Sequence, residues 1–135
     1  MMSKGSLAAA RVVLAGAAAA SLFFVRALQP GTIGATIFIA IWLLLPYVVL
    51  LAVIERSAGR PTAIADFVTM CLVAGGALAF LTLVIFVNPD PQGGIAVLFT
   101  PVYQGIAMMI LFPLLRSALR KYRNRYRHLT GPHRR

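Results

Sequence analysis

The chain has 135 residues, of which 60% are hydrophobic and only 12% charged, where an average soluble domain carries about 25% charged residues. A soluble domain of this size leaves a large share of its surface wet, so this composition, with a mean hydropathy of +0.86, excludes an ordinary soluble domain, a disordered chain and a disulfide scaffold. It indicates an integral membrane protein of one domain, all-α in class.

The net charge is +10, from thirteen Lys and Arg against three acids, and its distribution matters more than its sum. Eight of the thirteen stand in the last twenty residues: Arg116, Arg120, Lys121, Arg123, Arg125, Arg127, Arg134 and Arg135. In so apolar a chain that bias argues against nucleic acid as the partner. The single cysteine, Cys71, lies in an apolar run. It can form no internal disulfide or cysteine-rich metal site, and is expected to pack as a small hydrophobe.

Crossing a hydrocarbon layer takes about 20 mostly apolar residues. The first candidate, residues 7–25, meets that length only if Arg11 sits within it and extends its guanidinium to the head groups. Its rival reading is a cleaved signal peptide, with Lys4 and Arg11 as the basic region. A retained helix is favoured because the apolar run continues through Phe23, Phe24 and Val25. Ala15 and Ala19, like Gly16 and Ala20, are also spaced four apart, which suits close helix packing.

Residues 33–54, 64–87 and 92–115 are the other three spans. The first of these ends at Glu55 and Arg56, an interfacial anchor. Turn chemistry separates the spans: Pro30 and Gly31 before the second, Gly59 as a C-cap with Pro61 in the first turn of the third, Asp90 as N-cap with Pro91 opening the fourth. Such short connections predict an up-and-down four-helix bundle. With both termini on one side, that side holds twelve of the thirteen Lys and Arg and the other holds Arg26 alone. The bias places both termini in the cytoplasm, and it does so with or without the first span.

The inventory for chemistry is short. The acids are Glu55, Asp66 and Asp90, and both histidines, His128 and His133, lie in the basic tail. No span centre carries an ionisable side chain, which argues against proton-coupled transport. There is no metal-ligand spacing, phosphate loop or nucleophile motif, so no enzyme, cofactor or metal is expected. Asp66 stands one turn into the third span, at the positive end of its dipole, within expected reach of Arg56 or Arg60.

The most distinctive stretch is residues 90–104. Pro101 and Pro113 each remove a backbone hydrogen bond from the fourth span. The carbonyls freed near Val97 and Met109 need protein partners, since lipid offers none; Thr100, Tyr103 and Gln104 are the candidates. Pro46 with Tyr47 repeats the device in the second span. One reading is a kinked, tightly packed helix pair. The other is a polar pocket on the outer face, lined by Asp90, Gln92, Tyr103 and Gln104.

Trp42, Pro46 and Tyr47, followed by that stretch, resemble a pattern in small multi-span bacterial membrane proteins of unassigned function. The resemblance covers about residues 42–104. It implies a bacterial inner-membrane location and carries no activity or site residue.

The tail, residues 116–135, reads as helix to about residue 129, with Leu115, Leu119, Tyr122, Tyr126 and Leu129 in one stripe. Arg116, Arg120, Arg123 and Arg127 form a second stripe beside it and are the expected contacts with anionic lipid, in a helix lying in the head-group layer. A plain topology anchor is the alternative. The leading functional expectation is a small non-enzymatic accessory or structural subunit that packs against other membrane helices. The alternatives are an oligomeric pore of the holin kind, and a small-molecule transporter or binder not coupled to protons.

Overall fold

The structure is a computed structural model that describes the backbone of residues 4–27, 31–87 and 93–129, and the side chains of residues 5–26, 31–87 and 94–125. Four helices account for nearly all of it: α1 Lys4–Ala27, α2 Ile33–Ser57, α3 Ala63–Thr82 and α4 Gly93–Leu129. A π-helical turn, Leu83–Val87, continues α3. No strand occurs among the described residues.

Local chemistry sets the ends. Thr32 is the N-cap of α2 in an extended conformation, and its hydroxyl oxygen accepts from the backbone N–H of Ala35 at 3.2 Å. This satisfies one of the donors that every helix start leaves open. At the other end of α2 the expected glycine cap is absent. The helix stops at Ser57, Ala58 keeps right-handed helical angles, and the Arg60 N–H bonds the Ser57 carbonyl at 2.8 Å. A tight turn of ordinary handedness thus does the work expected of Gly59. Pro61 stands just outside α3, with Thr62 at the N-cap position and Ala63 as first helical residue. Asp90 and Pro91, expected to open α4, lie outside the described residues.

α1 packs chiefly on α2 and α4 chiefly on α3, while α2 and α3 touch each other and also meet α4 and α1 respectively. The largest core cluster joins Leu14, Tyr47, Leu50, Ile54 and Met70, with Ala10 and Ala17 of α1 and Met108 of α4 against them. A second cluster gathers Phe24, Leu43, Leu81 and Val97 at the far end. Small residues at positions 10 and 17 let α1 approach closely, whereas Ala15, Gly16 and Ala19, the small residues expected to pack, are exposed.

Polar contacts pin the pairs. Arg11 near the start of α1 meets Glu55 near the end of α2, Nη2 to Oε1 at 2.9 Å, with both side chains about half exposed. The Ser21 hydroxyl donates to the Ala17 carbonyl at 3.0 Å and lies 2.8 Å from the Tyr47 hydroxyl. A serine has one proton to give, so Tyr47 is the donor between the two.

Candidate functional site

Besides those contacts, three places among the described residues bring together polar or charged side chains. The first is an ion pair. Asp66 is completely buried, on the face of α3 turned to its neighbours. Its Oδ1 accepts from Nε of Arg116 on α4 at 2.6 Å, and Thr62 Oγ1 lies 3.5 Å from Oδ2. The expected partners, Arg56 and Arg60, are not the ones used. Arg56 ends α2 and Arg60 lies in the turn before α3, whereas the buried face of α3 looks at α4. The guanidinium carbon of Arg116 also sits 5.4 Å from the Phe112 ring centroid, one turn back on α4, a favourable cation–π placement.

The second place is a groove between α3 and α4, with a free volume of about 320 Å³. Its lining is apolar except at Thr100, Tyr103 and Gln104; Gly76 and Ala77 of α3 and Ala107 of α4 keep it open. Gln104 is 4% exposed, yet neither its amide nitrogen nor its amide oxygen has a partner. A cost of about 1–3 kcal/mol attaches to each buried polar group left unmade. A Cβ added at Gly75 or Gly76 would touch nothing within 4 Å, so this stretch of α3 has room above it. Phe80 and Tyr103 meet edge to face across the groove, centroids 5.9 Å apart.

This arrangement differs from the polar pocket expected on the outer face. Asp90 and Gln92 lie outside the described residues. Tyr103 and Gln104 share the groove with Leu72, Val73 and Leu111, which sets it along the middle of both helices. Side-chain donors reach the carbonyls on either side of Val97, the one that Pro101 frees. Thr100 Oγ1 donates to the Ala96 carbonyl of its own helix at 3.2 Å, while the Trp42 indole N–H reaches across from α2 to the Leu98 carbonyl at 2.7 Å. The chain's only tryptophan therefore supports the turn before Pro101, a role that local spacing could not reveal because Trp42 and Leu98 are 56 residues apart.

The third place is basic. α4 runs unbroken for 37 residues, about 55 Å at 1.5 Å per residue, so the tail helix and the fourth span are one element. Arg116, Arg120 and Arg123 line a cavity of about 210 Å³ together with Leu119 and with Pro61 and Thr62 of the turn before α3. Lys121 and Arg125 border a different hollow, with Ala118 and Tyr122. The side chain of Arg127 lies outside the described residues. Cys71, expected in the interior, is instead exposed on α3.

No three His, Cys, Asp or Glu side chains cluster among the described residues. All four helices are long and apolar enough to cross a membrane, which defines the chain as a helical protein with the pattern of a multi-pass membrane protein. Compared with protein-family models, with curated proteins and with solved structures, the chain has no significant match.

Proposed function

We propose that the chain is a small non-enzymatic subunit of a membrane assembly, which takes a transmembrane helix of a partner into the groove between α3 and α4. The observation that carries this reading is Gln104, an amide buried without a partner beside a strip of α3 that has open space over its glycines. In hydrocarbon such an amide has no water to turn to. A helix laid along Gly76 and Ala77 approaches closely, and a polar side chain on it supplies the missing donor and acceptor.

The bundle is up-and-down, and both termini lie in the cytoplasm of a bacterial inner membrane. Twelve of thirteen Lys and Arg fall on the terminal side of that arrangement, as the positive-inside rule requires. The Arg11–Glu55 and Arg116–Asp66 contacts each join the start of one helix to a late position on its neighbour. α1 is retained, because Ala10, Leu14 and Ala17 form part of the main core. The basic end of α4 meets anionic lipid at the cytoplasmic surface.

A photo-reactive amino acid at Leu72, on the exposed rim of the groove, tests the docking. In native membranes it should give a discrete adduct that Gln104→Leu weakens about tenfold, the equivalent of about 1.4 kcal/mol. The same probe at Val12, exposed on α1, should give none. An adduct indifferent to Gln104→Leu, or no adduct, rejects the reading. An adduct of twice the chain mass shifts it to self-association, the arrangement a holin-like pore needs. A reporter fused to the C-terminus checks the orientation and should read cytoplasmic.

A further inference from the structure

We infer that the cavity between α4 and the turn before α3 is a phosphate-binding site, built by Arg116, Arg120 and Arg123 over Pro61 and Thr62. The three arginines follow one another at intervals of four and three residues, which puts them on one face of α4, and they line a single cavity of about 210 Å³. That is smaller than the 300 Å³ or more typical of a whole small-molecule site, and suits a head group or a free anion.

The charge balance leaves the site wanting an anion. The whole chain has three acids. Glu55 is engaged by Arg11 and Asp66 by Arg116, and Asp90 lies outside the described residues. Arg120 and Arg123 therefore have no carboxylate partner among the described residues. Asp66 takes the Nε of Arg116 and so holds that guanidinium in place at the wall of the cavity, one third exposed. Guanidinium groups bind phosphate through paired, parallel N–H donors, a geometry an ammonium group does not offer. Pro61 and Thr62 close the opposite wall, and Leu119 gives an apolar floor for the carbon next to a phosphate ester; the Thr62 hydroxyl proton is directed to Asp66.

The phosphate has two sources, the head group of an anionic lipid or a soluble phosphate. The site rests on the fold alone and is independent of the groove between α3 and α4. The membrane orientation proposed above bears only on which leaflet supplies a lipid.

The experiment uses the full chain in neutral detergent, with bound ligand counted by native mass spectrometry during titration with phosphatidylglycerol, with phosphatidylcholine and with inorganic phosphate. Phosphatidylglycerol should be retained in preference to phosphatidylcholine. The variant R120Q/R123Q should lower that retention about tenfold, and the charge-matched variant K121Q/R125Q, which alters the neighbouring hollow, about twofold or less. Displacement of the lipid by millimolar inorganic phosphate supports the site with a soluble source, and resistance to displacement supports it with a lipid source. Equal losses in the two double variants would mean diffuse attraction to a basic surface and would overturn the proposal. So would wild-type protein that retains neither phosphatidylglycerol nor inorganic phosphate better than R120Q/R123Q does.

Discussion

Arg116 reaches back fifty residues to Asp66 and closes to 2.6 Å on a carboxylate with no exposed surface. The two partners are unequally placed, since the Arg116 side chain is 35% exposed. A charge at the protein edge can exchange its partner for water or a head group, and a sealed carboxylate cannot. Removing the arginine is therefore the more damaging change.

Arg116→Gln should destabilise the folded chain by about 3 kcal/mol, at the low end for a broken buried pair. Asp66→Asn should cost clearly less. The double variant should cost less than the sum, because the two sites are coupled. Unfolding in mixed micelles at neutral pH measures all three, and equal costs for the two single variants would contradict the asymmetry.

Gln104→Leu should stabilise the isolated chain by about 1–2 kcal/mol, because it removes two polar atoms that are buried without partners and keeps similar bulk. Gln104→Ala should gain less, since it enlarges the space already present beside Gly76 and Ala77. The same micelle assay reads both. Loss of stability on Gln104→Leu would mean that the amide is satisfied within the folded chain.

The Ser21 and Tyr47 hydroxyls offer a directional test. Tyr47→Phe removes the donor and leaves Ser21 bonded to the Ala17 carbonyl, so a cost of about 0.6 kcal/mol is expected, the average for such contacts in membrane proteins. Ser21→Ala leaves the buried Tyr47 hydroxyl without its acceptor and should cost more, up to about 1.7 kcal/mol. The order of the two values tests the donor assignment.

Trp42→Phe keeps a ring to stack on Phe38, where the present pair is 7° from parallel, but withdraws the indole N–H from the Leu98 carbonyl. A loss of about 0.5–1.5 kcal/mol follows for one hydrogen bond. Pro101→Ala should leave the protein folded and more heat-resistant, since a restored N–H supplies the Val97 carbonyl. A fall in thermal midpoint for Pro101→Ala would mean that the bend is itself needed for packing.

What the amino-acid order determined is the part of the protein that depends on neighbours along the chain. Four apolar stretches separated by Pro, Gly and Asp define four helices, because length and hydropathy are local properties, and α1, α2 and α4 begin within three residues of the expected positions. α4 continues through the basic segment to Leu129. The π-turn at Leu83–Val87 was not legible, as nothing in that apolar run distinguishes a widened turn from an ordinary one.

The pairing of side chains across the bundle was decided by tertiary structure alone. Asp66 had arginines six and ten residues before it in the chain, yet the rotation of α3 turned it toward Arg116. Trp42, noted only as part of a pattern, became a hydrogen-bond donor because α2 crosses α4 near the Pro101 turn. Gln104, expected to satisfy a carbonyl, was left facing small residues that leave room and offer no partner. Helix periodicity says which residues share a face. The angle at which each face meets its neighbour depends on the packing of side chains far apart in the chain, and that angle determines which polar groups meet and which are left open.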